Sequence, residues 1–386
     1  MHLKISVITV SYNAEKYIEK TIQSVIRQNY SPLEYIIIDG NSTDGTCDMI
    51  NQYSSFVTKW ISEPDRGIYD AMNKGISLST GEIICFLNCG DWFEDYALEK
   101  VDSFFRDNPN IDMMGGNTHI WDGDIHVRDN LSEEKIDDKS AWANLPATHQ
   151  SIFYRKECFD RVGNFDTDYP VTADNNWNNR AFFAGITYKK YDEFLSNYLL
   201  GGVSSDDILI ALEKRKSAKR VLEKLYSDHR ITKDQYQQYD IHISKVFKRI
   251  LYLAMIHREL QTKEPVRIGD ELRSKASRKK IILWGLGENG KKCLERCINE
   301  SVQPDYLCDS SSDDCGINGQ RIMRIDEVLE GFESQDCFVM ISSSKYEDEM
   351  KDKLRKLGYK EDIDFCDYQS LIISNGLKQY GYDYEQ

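Results

Sequence analysis

The chain has 386 residues, 40% of them hydrophobic and 29% charged, with a formal net charge of −15. That length predicts two or three domains of ordinary globular composition. The acidity argues against a protein that tracks nucleic-acid phosphates, although an acidic protein can still take a nucleoside diphosphate if a divalent cation sits between the two. The ten cysteines form no CxxC pair and several lie in apolar runs, the pattern of reduced thiols in a cytoplasmic protein. The apolar run after Lys4 is too short for a signal core. No apolar stretch reaches the ~18 residues of a membrane span.

Strand and helix alternate through the N-terminal half. Ile5–Val10 reads as a buried strand, and Asn13 as the cap of a helix over Ala14–Gln28 with Ile18, Ile22, Val25 and Ile26 on one face. Next come a strand at Tyr35–Ile38, a helix at Thr46–Tyr53, a strand at Val57–Ile61 and a helix at Ile68–Leu78. A strand at Glu82–Leu87 ends at Asn88-Cys89-Gly90-Asp91, followed by a helix over Ala97–Phe105 and a strand at Asp112–Asn117. Such alternation predicts an α/β fold with a mainly parallel, helix-covered sheet over residues 1–205. The polar stretch Gly116–Lys139 reads as a loop that shapes the substrate pocket, and Trp121 and Trp142 as packing residues.

Residues 206–278 are charged and helical, a linker between domains. Within them Ile241, Ile243, Val246, Phe247, Ile250, Leu251 and Leu253 form an apolar stripe flanked by Lys245, Lys248, Arg249 and Arg258. The plainer reading is a helix packed between domains or on a second subunit in a homodimer; the sharper one is an interfacial helix making peripheral membrane contact. Residues 279–375 read as a small Rossmann-like α/β domain, with strands at Ile281–Trp284, Tyr306–Cys308 and Phe338–Ile341. Gly285, Gly287 and Gly290 follow the first of these strands in GxGxxG spacing. Asp309 ends the next, 19 residues beyond Gly290 (309 − 290). That layout sets phosphates on a helix N-terminus and a carboxylate on a ribose.

Two strand ends carry candidate chemistry. Asp39 can accept the ring N–H of a pyrimidine, Tyr12 can stack on that base, and the Val10 backbone and Glu15 carboxylate lie within reach of the same ligand. Read plainly, Asp39 and Asn41 are turn residues. The acidic turn Asn88–Asp91 suits a hard cation such as Mg²⁺ or Mn²⁺, which takes its other oxygens from a diphosphate; read plainly, it is a strand-end turn.

Six stretches in order carry a family likeness: Ile8–Asn13, Ile38–Thr46, Ser62–Ile76, Phe86–Asp91, Ala147–Arg155 and Ala173–Arg180. Over about residues 3–200 the chain resembles the family-2 glycosyltransferases of the nucleotide-sugar-dependent GT-A type, most closely those that build bacterial surface polysaccharides. The resemblance implies that Val10, Tyr12, Glu15 and Asp39 hold a uridine, with Arg66 near the diphosphate. It implies that Asp91 and Asn88 ligate the metal, that Asp174, six residues before Arg180, is the catalytic base, and that His149 and Gln150 line the sugar or acceptor pocket. A UDP-sugar donor and a glycan or lipid-linked acceptor follow from it, with transfer inverting the anomeric centre. The second domain likewise resembles Rossmann-like domains appended to sugar-modifying enzymes.

Two departures stand out. Asn88 and Gly90 occupy positions where the family usually has an aspartate, and Gly40 stands where it often has one. Asn88 and Gly90 leave open a GT-A domain that binds without turnover. The glycine loop leaves open a C-terminal domain that uses a nicotinamide cofactor.

Overall fold

The computed structural model describes residues 2–134, 146–202, 206–309 and 316–382. These form two compact units, Met1–Ile243 and Ser244–Gln386, and the helical stretch expected at 206–278 is divided between them. Trp142 lies outside the described residues.

In chain order the first unit holds β1 (Ile5–Ser11), α1 (Ile18–Arg27), β2 (Leu33–Asp39), α2 (Thr46–Gln52), β3 (Lys59–Ser62), α3 (Ile68–Leu78), β4 (Ile83–Phe86), β5 (Trp92–Phe93) and α4 (Ala97–Asp107). It continues with β6 (Met113–Asp122), β7 (Ile125–Asn130), a 3₁₀ turn at His149–Ser151, β8 (Ile152–Arg155), α5 (Glu157–Val162), α6 (Ala173–Phe183), β9 (Tyr188–Leu199) and α7 (Asp207–Ser227); α8 (Lys233–Thr262) then runs into the second unit. The sheet order is β3-β2-β1-β4-β8-β6-β9-β5, with β7 paired to β6.

The half from β3 to β4 is wholly parallel, and its strands β2, β1 and β4 are buried on both faces. Ile5 and Val7 of β1 pack with Ile18, Ile22 and Val25 of α1, while Ile8 and Val10 pack with Met72 and Ile76 of α3. Two-sided burial is why these strands are continuous apolar runs.

The half from β8 onward is mixed. β8 runs antiparallel to β4 and β6, and β5 antiparallel to β9. Much of the loop expected over Gly116–Lys139 is instead strand, since β6 and β7 form a hairpin. Asn13 is not a helix cap. Its φ is +45°, and α1 begins after Tyr17. Asn13 ties two strand-end loops together, its Oδ1 accepting from Thr43 N at 2.9 Å and its N–H donating to Ser42 Oγ at 2.8 Å.

The second unit adds α9 (Gly269–Lys275), β10 (Lys280–Trp284), α10 (Glu288–Asn299), β11 (Tyr306–Cys308), β12 (Ile322–Met323), α11 (Ile325–Leu329), β13 (Cys337–Ile341), α12 (Glu347–Lys356), β14 (Phe365–Asp367) and α13 (Tyr368–Tyr380). All its strand pairs are parallel, in the order β12-β11-β10-β13-β14, the 3-2-1-4-5 order of a doubly wound sheet.

Here the apolar stripe of α8 is largely covered: Phe247, Leu251 and Met255 are buried. The lysines beside it form ion pairs, Lys245 with Asp348 at 2.6 Å and Lys248 with Asp367 at 2.7 Å. Lys351 joins them at 2.9 Å from Asp367. Burial alone would raise the Asp367 carboxyl, but the Lys248 and Lys351 charges hold it down at about 2. Ile241, Leu253 and Leu260 of this helix stay exposed. Among the described residues no helix is long and apolar enough to cross a membrane, and nine cysteines are free thiols.

Candidate active site

Strand register gathers the first part of the site. Ser11 of β1 pairs with Asp39 of β2, and Asp39 pairs with Ser62 of β3, so three carboxyl ends meet at one point. Asp39 is fully buried and accepts from Ser11 Oγ (3.0 Å), Ser42 Oγ (2.5 Å), Ser42 N (2.8 Å), Ser62 Oγ (2.7 Å) and Cys47 Sγ (3.4 Å). Burial would push this carboxyl up, but the bonds from Ser42, Ser62 and Ser11 outweigh it and keep it below the usual carboxylate range. Its acceptor sites are therefore full.

Above Asp39 lies a carboxylate that the sequence pattern did not single out. A Cβ placed on Gly40 would stand 2.7 Å from Asp65 Oδ2 and 3.4 Å from Tyr12 Cδ2. Asp65 thus fills the space that a side chain on Gly40 would need. It also brings a negative charge to the place where the family often has a second aspartate directly after Asp39. Tyr12 is 66% exposed, leaving its ring free to stack. The Val10 carbonyl accepts from Cys89 N at 3.2 Å, which joins this cluster to the turn after β4. Glu15 is exposed and caps the next loop through Gly45 N at 3.3 Å. Arg66 is exposed and leans on Asp70 at 3.3 Å.

The turn after β4 is built differently. Asp91 is 3% exposed; its Oδ2 accepts from Gln150 Nε2 at 2.6 Å and its Oδ1 from Leu199 N at 3.0 Å. Burial pushes its carboxyl up to about 7, against the pull of those two bonds. Asn88 Oδ1 is buried without a hydrogen-bond partner. One orphaned neutral oxygen beside one carboxylate fits a hard cation that draws most of its ligands from a diphosphate. Asn88 is the open position, and Asp91 stands behind it with one bond already on each oxygen.

Gln150 leads to the catalytic candidate through its neighbour. His149 stacks on Phe86, with ring centroids 5.3 Å apart, and its Nδ1 lies 3.7 Å from Asp174 Oδ2. Both His149 ring nitrogens are buried without a hydrogen-bond partner. Burial lowers its pKa, with Asp174 pulling the other way, so the imidazole is neutral.

Asp174 is not the N-cap of its helix, a place taken by Thr172. α6 begins at Ala173, so Asp174 sits in the first turn. Its Oδ1 accepts from Asn175 N at 2.7 Å and lies 2.9 Å from Tyr69 Oη. Tyr69 Oη is also 3.0 Å from the Val171 carbonyl, and burial keeps its proton on. Oδ2 is left facing His149. Lys214 of α7 also feels Asp174: burial lowers its pKa while the carboxylate raises it. Beyond Asp174, the side-chain amides of Asn175, Asn178 and Asn179 are all buried without partners.

The glycine loop of the second unit follows the fingerprint in detail. Gly285 has φ +99°, and a Cβ on Gly290 would stand 1.9 Å from the Gly285 carbonyl oxygen, so helix and strand touch. A Cβ on Gly287 would meet nothing within 4 Å. Asp309 Oδ2 accepts from Leu286 N at 2.7 Å, which places the expected ribose carboxylate against the loop.

A mixed, helix-covered sheet whose strand ends carry Asp39 and Asp91, with Asp174 on a helix joined to Asp91 through Gln150 and His149, is an α/β fold of the GT-A type. The family model described as Glycosyl transferase family 2 matches residues 6–163. A PGL/p-HBAD biosynthesis glycosyltransferase of Mycobacterium tuberculosis is 28% identical over 215 residues, 50% of this chain and 80% of the relative. An uncharacterized glycosyltransferase of the same species is 30% identical over 180 residues, 46% of this chain and 68% of the relative. Among solved structures, S. aureus TarS 1–349 in complex with UDP-GlcNAc aligns with 68% of this chain and 88% of that one, at 17% identity and a TM-score of 0.46. The chain belongs to glycosyltransferase family 2.

Proposed function

We propose that the first unit transfers a sugar from a nucleoside diphosphate, with UDP as the expected carrier, to a hydroxyl of a glycan or lipid-linked saccharide in surface-polysaccharide synthesis, inverting the anomeric carbon. The observation that carries this reading is the connected set Asp91–Gln150–His149–Asp174–Tyr69, which ends in one carboxylate oxygen beside a neutral imidazole. The biosynthetic role in the relative's name supports an anabolic transfer.

Asp39 and Asp65 read the base, and Tyr12 stacks on it. Arg66 brings positive charge to the diphosphate. Asn88, backed by Asp91, would hold a Mg²⁺ or Mn²⁺ ion, whose role when bound is to stabilise the leaving diphosphate. Asp174 takes the proton of the acceptor hydroxyl through Oδ2. The acceptor oxygen bonds to the anomeric carbon as the bond from that carbon to the diphosphate oxygen breaks. Tyr69 and Asn175 N fix the carboxylate, and His149 stands beside its second oxygen.

The test is a panel of nucleotide-sugars incubated with Mn²⁺ or Mg²⁺, scored by release of free nucleoside diphosphate with and without saccharide acceptors. Turnover should fall by ~10²–10⁴ in Asp174→Asn while nucleotide affinity holds. Failure of every donor with the native chain, or native turnover in Asp174→Asn, contradicts the reading.

A further inference from the structure

Outside the residues of this site, one group of three potential metal ligands converges among the described residues: His119 on β6 and His126 and Asp129 on β7. His119 Nδ1 lies 2.7 Å and His126 Nε2 2.8 Å from the same oxygen, Asp129 Oδ1.

Strand geometry alone would not bring them together. His119 and Asp129 are direct cross-strand partners, but residues 126 and 129 are three apart and on a regular strand would face opposite sides. The register shifts between Ile120 and Trp121: Ile120 pairs with Arg128 and Trp121 with His126, so Val127 is the extra residue of a β-bulge. That bulge turns His126 onto the face of Asp129, a re-aiming that bulges commonly perform at functional sites.

The rings are also held in place. His119 stacks on Phe194 of β9 with centroids 3.8 Å apart and planes 5° from parallel. His126 lies edge-on to Trp121 at 5.3 Å and to His119 at 5.2 Å.

We propose that His119, His126 and Asp129 form a second metal site, distinct from the donor site, that takes a borderline transition cation such as Zn²⁺. Two imidazoles and one carboxylate are a donor set for such ions, whose ligand bonds of ~2.0–2.2 Å put neighbouring ligand atoms of a tetrahedral shell ~3.3–3.6 Å apart. The two spacings to Asp129 Oδ1 need to open by ~0.5–0.9 Å, within reach of small side-chain rotations. Each imidazole shifts its proton to the other ring nitrogen, and the cation takes the lone pair so exposed. His126 and Asp129 are exposed, so water completes the coordination. The ion would clip the hairpin at residues whose side chains are already in contact. Among the described residues β7 has no other strand neighbour, and it is exposed along its length.

The test uses the full chain, freed of metal and without nucleotide, titrated with Zn²⁺ alone by calorimetry. The expected result is one equivalent bound with affinity at least ~10-fold weaker in His119→Gln, His126→Gln and Asp129→Asn, and unchanged in Asn88→Ala. Circular dichroism verifies that each variant is folded, and Asp129→Asn preserves the side-chain shape should a histidine variant fail. Two results overturn the proposal: no Zn²⁺ bound by the native chain at about 1 mM, or equal affinity and stoichiometry in native and Asp129→Asn protein.

Discussion

Around Asp39 every carboxylate lone pair is met by a serine, a thiol or a backbone N–H, whereas around Asp91 and Asp174 a row of buried groups has no partner: Asn88 Oδ1, both nitrogens of His149, Gln150 Oε1 and the amides of Asn175, Asn178 and Asn179. A partnerless buried amide costs on the order of 1–3 kcal/mol, so the second region carries a penalty that the first does not. The contrast suggests a division of labour. The hydroxyl cage keeps Asp39 ionised and rigid, and on the proposed function the region around Asp91 and Asp174 is where bound substrate would supply the missing partners. The two carboxyls show it directly: hydrogen bonds hold Asp39 low, and burial drives Asp91 up to about 7.

The largest effect expected from this contrast is a pH slope. Asp91 keeps its proton in the folded chain up to about pH 7, while the unfolded chain loses it near the ordinary value of 3.8. The folded state therefore binds more protons between those limits, and stability falls as pH rises across them by up to ~1.4 kcal/mol per pH unit. Asp91→Asn should flatten that fall in denaturant unfolding of the metal-free chain; an unchanged slope means the carboxyl is not held protonated. The next concerns the partnerless amides. Asn179→Leu should stabilise the fold by ~1–2 kcal/mol while weakening transfer, because it removes a buried unmet group that substrate would satisfy. Loss of stability instead would place Asn179 in an ordinary structural role. The smallest is at the metal turn, where Asn88→Asp adds a charged ligand at an open position. The Mn²⁺ concentration for half-maximal turnover should drop ~10-fold, and a rise would argue against Asn88 as a ligand.

The parallel half of the sheet was legible because its strands are apolar on both faces and each ends in a loop-forming string, so β1, β2, β4 and the helix over Ile68–Leu78 were readable from local pattern alone. The mixed half was legible only at the start of β6, the strand expected at Asp112–Asn117. β6 and β9 mix polar residues, small residues and aromatics with no clean period, and their pairing is long-range. Asp39 and Asp174 could be marked from their own strings. Asp65 could not, since its place depends on the empty space at Gly40, 25 residues earlier (65 − 40). Tyr69 stood in a recognised string, yet its bond to Asp174 spans 105 residues. The bulge that turns His126 toward Asp129 is likewise invisible until the hairpin register is known.

The most direct test of the donor site is calorimetry of UDP with Mn²⁺ on the native chain and on Asp39→Asn. The account predicts metal-dependent binding that Asp39→Asn weakens by at least ~10-fold, as loss of a charge-assisted hydrogen bond and its hydroxyl cage requires. No UDP binding by the native chain with metal present, or equal binding by the two proteins, would contradict it.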